Sequence, residues 1–356
     1  MASLIALVVG GAHVRCLNDG SVMLRAVSAL QSRVWRAGQK VREDFPLDEL
    51  DGLLADPECL VWLDVVHPGP DLLNQLAQEL NLDPLAVEDA FEPRERPKAT
   101  RHPGHTFLTC YATRLRVVDG WTVLLETPRV SAFVMTNGLI TVRTADHGEM
   151  DEVLERWETD GLLEHGVSAL VHGMLDTFVD GHFAAIQAMD DALDALEDQL
   201  FDESIQTRKV QQRIFGIRKA LVQLRRVVLP MREVVTAVMR FRAANGTPIA
   251  RELDGYFNDL YDHVIRASEW TESLRDVVGS IFETNLSLQD ARLNEVMKKL
   301  AAWAAIIAVP TAVTGWFGQN IPYPGFADTF GLWLSVFTIL IGTVGLYVLF
   351  RNVDWI

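Results

Sequence analysis

The chain has 356 residues and a formal net charge of −16, with 48 acidic against 32 basic side chains. This acidic balance argues against a nucleic-acid partner, because nucleic-acid binding depends on basic patches, and it concentrates cations near the protein. The three cysteines, Cys16, Cys59 and Cys110, lie far apart, which argues against a disulfide framework and a cysteine zinc motif.

The N-terminal part is predicted to be an α/β domain. Residues 1–11 are apolar with a short core and no basic segment, so they favour an edge strand or a frayed start over a signal peptide. Glycine-rich phosphate loops and catalytic-triad spacings do not occur, so an enzyme has no local support. Composition predicts strands at residues 59–66, 106–117, 121–126, 129–136 and 139–143, and helices at 71–80, 84–91 and from 150.

Two long helices of opposite charge follow. Residues 167–201 end in an acidic cluster, and Ser204 can cap a second, basic helix that runs to about Arg242. This pair predicts an antiparallel hairpin with cross-helix ion pairs and a kink at Pro230. The acidic cluster could recruit cations, although a solvated face is the simpler interpretation. Its members are Asp190, Asp191, Asp194, Glu197, Asp198, Asp202 and Glu203.

A third helix begins after the break at residues 245–248. Its apolar positions repeat every 3.5 residues, which is typical of coiled coils. Proline is absent between Leu253 and Pro310, so we expect an unbroken helix of about 100 Å over residues 253–318. The repeat comprises Leu260, Val264, Ala267, Thr271, Leu274, Val278, Ile281, Asn285 and Leu288.

Two uncharged runs predict membrane spans at the C-terminal end. Residues 300–317 would form about 27 Å of helix, close to the ~30 Å hydrocarbon thickness of a bilayer, and residues 329–350 form the second run. Arg292, Lys298, Lys299 and Arg351 flank the runs and the connecting loop has no basic residue, which places both termini in the cytoplasm of a multi-pass cytoplasmic-membrane protein. The predicted segments are a cytoplasmic α/β domain (1–160), a helical hairpin (161–250), a stalk (251–299), transmembrane helix 1 (300–318), an outer loop (319–328), transmembrane helix 2 (329–350) and a cytoplasmic tail (351–356).

The first span carries a stripe of small and polar residues on one helical face. Small residues allow close helix packing in lipid, so packing is one explanation; in an oligomer the same stripe would line a pore. The stripe comprises Asn294, Met297, Ala301, Ala304, Ala308, Thr311, Gly315 and Gly318.

The end of this span resembles a known family. Gly318-Gln319-Asn320 is similar to the Gly-x-Asn signature of the CorA family of divalent-cation channels, and the preceding Asn294, Leu300 and Pro310 stand at the family's spacing. Residues 83–89 and Arg96-Pro97-Lys98 resemble a cytoplasmic block of the same family.

The resemblance implies a funnel-shaped homopentamer with an α/β cytoplasmic domain, a long-helix stalk and two C-terminal transmembrane helices. Hydrated Mg²⁺ or Co²⁺ would enter through a filter of Gly318, Gln319 and Asn320, and Leu300 with Met297 would form a hydrophobic gate. Intracellular Mg²⁺ bound by Asp89 and Glu283 of neighbouring subunits would favour the closed state. The alternative is that Asp89 has a capping role or forms an ion pair with Arg94 or Arg96, and that Glu283 is solvated.

Two departures keep other functions open. Gln319 replaces the family's usual Met and Ala308 a bulky pore residue, so zinc transport is one alternative, although the stripe holds no Cys or His for a transition metal. A membrane-anchored cation sensor or scaffold that does not conduct is another. Polar groups at Thr311 and Asn320 favour conduction, because a scaffold gains nothing from them.

Overall fold

The computed structural model describes residues 8–9, 12–13, 29–92, 95–118, 122–144, 148–200, 207–245, 252–319, 322–323, 325–326 and 328–356. Most of the predicted N-terminal edge strand, Ser204, Asp202, Glu203, Arg94 and Asn320 lie outside these residues. Residue contacts divide the chain into two units, Met1–Val278 and Gly279–Ile356. The seven predicted segments divide the chain more finely than these two units, and their boundaries stay predictions.

The first unit holds a seven-stranded mixed sheet of order β4-β3-β5-β11-β10-β7-β6, in which β5 and β11 are parallel and the other neighbours antiparallel. The separate pairs β1-β2 and β8-β9 form two-stranded ribbons. The strands are β1 (Val8–Val9), β2 (Ala12–His13), β3 (Ala29–Arg36), β4 (Gln39–Glu43), β5 (Cys59–Val66), β6 (Lys98–His102), β7 (His105–Tyr111), β8 (Arg114–Val118), β9 (Thr122–Glu126), β10 (Arg129–Val134) and β11 (Gly138–Arg143).

The prediction of one strand over residues 106–117 is wrong. The chain leaves the sheet between β7 and β8, where the Ala112 N–H donates to the Pro128 carbonyl at 3.0 Å. Strands β3 and β4 were not predicted, because their alternation is interrupted by charged residues. The hairpin expected at Asn137-Gly138 is confirmed, since β10 and β11 pair across it.

The helices cover both faces of the sheet and continue into the second unit. They are α1 (Leu50–Ala55), α2 (Pro70–Glu79), α3 (Pro84–Phe91), α4 (Glu149–Thr159), α5 (Val167–Leu200), α6 (Thr207–Val228), α7 (Met231–Asn245), α8 (Asp254–Phe317) and α9 (Thr329–Asn352), with short 3₁₀ turns at Leu47–Glu49 and Leu163–His165.

Two apolar cores result from the alternation of side chains along the strands. Leu60 and Trp62 of β5 pack on one side with α4, α5, α7 and the first turns of α8. Val61 and Leu63 of the same strand pack on the other side with α1, α2 and α3. Strand β5 is buried along its whole length, which accounts for its nearly uninterrupted apolar sequence.

Trp157 of α4 joins the sheet to α5. Its ring makes edge contacts with Trp35 and Trp62 at centroid distances of 6.1 and 5.4 Å, and its indole N–H donates to the Leu170 carbonyl at 3.0 Å. A Cβ at Gly173 would lie 2.7 Å from this ring. Glycine is therefore required at that point of α5.

A buried ion triad fastens the start of α4 to the sheet. Arg143 of β11 bonds both oxygens of Asp64, with Nη2 to Oδ2 at 2.6 Å, and its Nη1 lies 3.0 Å from Glu149 Oε1. Thr141 Oγ1 donates to Asp64 Oδ1 at 2.5 Å. Burial raises the pKa of the Asp64 carboxyl, against the opposing effect of Arg143. The hydrogen bonds of Arg143 to both carboxylates outweigh its own burial and raise its pKa.

The predicted hairpin is present, but its second helix is broken and not kinked at Pro230. Helix α6 ends at Val228 and α7 starts at Met231, because proline lacks the N–H that would continue the helix. Arg213 of α6 donates to the Gln199 side chain of α5. Arg225 instead reaches α8, with Nη2 2.7 Å from Glu272 Oε1.

Helix α8 is continuous over 64 residues, as predicted, and contains Pro310. The early part of its apolar repeat, from Leu260 to Val278, is buried within the first unit. Leu260 and Val264 belong to the core that covers the sheet. This part of the repeat therefore serves the chain's own packing.

The second unit contains the end of α8 and all of α9. Both helices are long and apolar enough to span a membrane. They approach closely at Gly342, where a Cβ would lie 2.8 Å from Val309 Cγ1. A small residue at this contact is the usual device for packing helices in lipid.

Candidate ion pathway and cation sites

The predicted pore stripe is exposed on α8. The side chains of Asn294, Met297 and Thr311 are exposed. The neighbouring Leu300 is 70% exposed. The remaining stripe members, Ala301, Ala304, Ala308, Gly315 and Gly318, are also exposed.

The opposite face of α8 makes the contacts within the chain. Ala302 and Ile306 are buried, and Val309 meets Gly342 of α9. At 100° per residue these positions lie about half a turn away from Ala304, Ala308 and Thr311. The stripe therefore does not serve the packing of α8 against α9.

The hydroxyls near Pro310 bond to the helix backbone. Thr311 Oγ1 donates to the Ile307 carbonyl at 3.3 Å, and Thr314 Oγ1 to the Pro310 carbonyl at 2.8 Å. Such bonds to the preceding turn are usual for threonine in apolar helices. Because this hydroxyl donates its hydrogen to the backbone, both lone pairs of Thr311 Oγ1 stay available as acceptors on the exposed face.

Helix α8 ends where the predicted filter begins. The Gly318 N–H donates to the Thr314 carbonyl at 2.9 Å, and the Gln319 N–H makes a tighter turn to the Trp316 carbonyl at 3.3 Å. Both residues are exposed. The unpaired carbonyls of a helix C-terminus carry partial negative charge, so this end of α8 is suited to attract a cation.

Aromatic rings fold the loop against the end of α8. Tyr323 lies 5.0 Å from Phe317 and 5.4 Å from Phe326, edge to face in both cases. Gly325 has φ +90° and packs against Gly331, where a Cβ would lie 2.3 Å from the Gly325 carbonyl oxygen. These contacts pack Tyr323 against the end of α8 and Gly325 against the start of α9.

Asp89, the predicted regulatory ligand on α3, has an internal cationic partner. Lys98 Nζ lies 2.7 Å from Asp89 Oδ2 and 3.0 Å from Glu95 Oε1. Burial opposes the charge on Lys98, but its bonds to the two carboxylates raise its pKa. Asp89 thus has an ion-pair partner, Lys98, that differs from the predicted Arg94 and Arg96; Arg94 lies outside the described residues.

Glu283, the other predicted regulatory ligand, lies on α8 in the second unit. Its side chain is exposed and takes part in none of the ion pairs formed by residues that the structure describes. The binding of a regulatory cation by Asp89 and Glu283 stays a prediction.

A second cation-type cluster was missed by sequence reasoning. Ligand atoms of Asp176, Asp180 and His263 lie within 4.8 Å of one another. Arg156 bonds both carboxylates, with Nη2 2.6 Å from Asp180 Oδ2. Burial raises the pKa of Asp176, although Arg156 opposes this effect. The four-residue spacing of the aspartates was visible in the sequence, but His263 is distant in the chain.

The close histidine pair His102 and His105 forms a stacked turn. Their rings lie 5.2 Å apart and nearly parallel at 13°, and His102 Nδ1 is 3.2 Å from Asp83 Oδ2. Parallel rings do not converge on a metal ion. Burial lowers the pKa of His105, with a further contribution from His102.

Comparison with known proteins identifies the family. The model of the CorA-like Mg²⁺ transporter protein family matches residues 58–352. The chain belongs to the CorA family. It is thus an integral membrane transporter of divalent cations, and the predicted α/β domain, long helix and two C-terminal apolar helices are confirmed.

Relatives of this CorA-family chain include transporters from distant organisms. The putative metal ion transporter YfjQ of Bacillus subtilis (strain 168) is 25% identical over 296 residues, covering 83% of this chain and 89% of that protein. The cobalt/magnesium transport protein CorA of Thermotoga maritima is 26% identical over 287 residues, covering 79% of each chain.

Solved structures share the fold. The CorA magnesium transporter from Methanocaldococcus jannaschii matches with a TM-score of 0.71 at 20% identity, over 92% of this chain and 98% of that one. The ZntB cytoplasmic domain from Vibrio parahaemolyticus matches with a TM-score of 0.53 at 11% identity, over 67% of this chain and 96% of that one.

Proposed function

We propose that this chain forms a homopentameric channel that passes hydrated Mg²⁺ through the cytoplasmic membrane, with both termini in the cytoplasm. The observation that carries the proposal is the face of α8 opposite its contact with α9, which is small, polar and unused by the chain's own packing. Five such faces around an axis would line a pore. The Mg²⁺ preference is supported by the family description and by the cobalt/magnesium relative.

The filter works by weak binding to a hydrated ion. Mg²⁺ loses its water slowly, so rings of Gly318 carbonyls and Asn320 amides offer oxygen atoms to the water shell. The C-terminal ends of five α8 helices add partial negative charge at the same level. Dipoles hold the ion less tightly than carboxylates would, which permits both entry and exit.

The path continues along the stripe toward the cytoplasm. Thr311 offers a ring of hydroxyls and Asn294 a polar ring near the inner end. Leu300 and Met297, both exposed on one chain, close the path by excluding water when the five copies approach. Arg292, Lys298 and Lys299 flank this inner end, which supports its cytoplasmic orientation.

Intracellular Mg²⁺ gives feedback through Asp89 and Glu283. Two carboxylates supply the oxygen ligands that a hard divalent cation prefers. The ion competes with Lys98 for Asp89, since Lys98 already neutralises that carboxylate. Regulation results only if the closed state binds the ion more tightly than the open state.

The pore proposal is tested by Mg²⁺ uptake into proteoliposomes with an indicator dye inside and Zn²⁺ assayed in parallel. Asn320→Ala and Thr311→Val should reduce Mg²⁺ uptake. Thr338→Val is the matched control, because Thr338 on α9 also donates to its own helix, to the Leu334 carbonyl at 2.8 Å. Uptake of Zn²⁺ alone would indicate zinc transport, and a folded oligomer without flux would indicate a cation sensor or scaffold.

The feedback proposal is tested by preloading the cytoplasmic side with Mg²⁺. Glu283→Gln should relieve the inhibition, and Asp290→Asn, an exposed acid on the same helix, serves as its control. Lys98→Met frees Asp89 and should lower the Mg²⁺ concentration that inhibits. An unchanged inhibition curve in both Glu283→Gln and Lys98→Met would contradict this site.

A further inference from the structure

Charge is segregated completely between the two helices of the hairpin. Helix α5 contains no Lys or Arg, and α6 contains no Asp or Glu. The basic residues of α6 are Arg208, Lys209, Arg213, Arg218, Lys219, Arg225 and Arg226. A chain of net charge −16 thus carries one strongly basic helix.

The outward face of α6 carries apolar residues that its own core does not explain. Its inward residues, Ile214, Leu221 and Leu224, are buried. On the outward face Phe215 is 70% exposed and Val222 is 43% exposed. A large exposed aromatic ring between basic side chains is a typical anchor of a protein interface.

These outward residues follow a regular helical spacing. Arg208, Gln211, Phe215, Arg218 and Val222 alternate steps of three and four and are all exposed, so they form one seam along α6. Arg218 takes part in none of the ion pairs formed by residues that the structure describes. We call these five residues the basic seam.

Helix α5 has an outward seam of matching spacing and opposite charge. It comprises Ala184, Ala188, Asp191, Ala195 and Asp198, which alternate steps of four and three. All are exposed except Ala188, which is half-buried; Ala184 and Ala188 also line an open cavity beside Arg114 and Arg116 of β8. We call these residues the acidic seam. Its alanines leave room for larger side chains of a partner. Asp191 lies between Ala188 and Ala195, and Asp198 follows Ala195.

We propose that the basic seam of one copy packs on the acidic seam of the next copy around the ring. Helices α5 and α6 touch and are joined through residues 201–206, so they run antiparallel. Copies side by side therefore bring α6 of one against α5 of the next in antiparallel orientation. A contact between two different faces forms a ring when the rotation from one copy to the next closes on itself.

The spacing sets the register of this contact. Val222 of one copy packs on Ala188 of the next, Arg218 pairs with Asp191, and Phe215 packs on Ala195. Exposed ion pairs contribute only ~0.2–1 kcal/mol each, so the Phe215 ring supplies the main anchor and the charges select the partner face. The interface rests on the oligomer of the proposed function but not on conduction.

Cysteine cross-linking tests this register in the full-length chain in detergent. Val222→Cys with Ala188→Cys keeps Phe215, Arg218 and Asp191 in place. Mild oxidation should produce a ladder of covalently linked species on non-reducing gels, from the dimer up to the full ring. A disulfide forms only when the two Cα atoms lie within about 7 Å. Each single variant is the control for the native cysteines and should give no ladder.

Charge exchange distinguishes a specific interface from two solvated faces. In the double-cysteine chain, Arg218→Asp should slow the cross-linking, and the additional change Asp191→Arg should restore it. Absence of the ladder from an oligomer of unchanged mass, or absence of rescue by the second change, would overturn the interface and leave the channel proposal intact. Loss of the oligomer in the unmodified chain would instead overturn the pentamer itself.

Discussion

Removal of Arg143 should be among the most damaging single changes in the first unit. The guanidinium is 2% exposed and holds Asp64 and Glu149, whose side chains are 0% and 1% exposed. Arg143→Met would leave two buried carboxylates without their cation. Breaking a buried ion pair from one side costs about 3–5 kcal/mol, which corresponds to a thermal midpoint lower by roughly 10 °C for a domain of this size.

The pH dependence of Arg143→Met tests the same reasoning. Burial already favours the protonated form of Asp64, so without Arg143 this carboxyl should take up a proton as the pH is lowered. The difference in the free energy of unfolding between the wild-type chain and Arg143→Met should therefore become smaller from pH 7 to pH 5. Indole fluorescence can follow unfolding, because Trp62 Nε1 donates to Thr141 Oγ1 at 3.1 Å beside the triad.

The matched control removes all three charges together. Asp64→Asn, Arg143→Met and Glu149→Gln in one chain leave no buried charge, so this triple variant should be clearly more stable than Arg143→Met alone. A loss below about 1 kcal/mol in Arg143→Met, or a triple variant less stable than the single one, would refute this account of the triad.

Three further predictions concern other parts of the chain. Burial lowers the pKa of His182 to about 4, and its Nε2 donates to the Tyr111 carbonyl at 3.0 Å. The unfolded chain therefore binds more protons than the folded chain between pH 6.5 and 4. As the pH falls through this window, the free energy of unfolding should decrease by about 3 kcal/mol. His182→Gln should flatten this part of the thermal midpoint against pH, and an equal slope in both proteins would contradict it. Gly342→Leu should lower the thermal midpoint because its Cβ meets Val309 at 2.8 Å, whereas Gly345→Leu has open space and should not; equal effects would contradict the helix contact. Leu300→Asn should raise Mg²⁺ flux at high internal Mg²⁺ by wetting the gate, and unchanged flux would rule out Leu300 as the constriction.

Local patterns in the sequence determined the elements and the family. Two uncharged runs of membrane length, the proline-free stretch before Pro310 and the apolar run of β5, rich in Val and Trp, are short-range features, and each appears in the structure as predicted. The Gly318-Gln319 end of α8 followed from the same kind of signal. Periodicity and breakers act over a few residues, so they can be read without knowing what lies across the molecule.

The tertiary structure decided which of these surfaces are used. The stripe on α8 allowed packing or a pore, and the contact of Val309 with Gly342 on the opposite face shows only that the stripe does not pack against α9. Asp89 is neutralised by Lys98, and neither the Arg143 triad nor the cluster at His263 had a sequence signal that joined its members. Such pairings depend on which strands and helices become neighbours, because burial and charge act through space between residues that the chain keeps far apart.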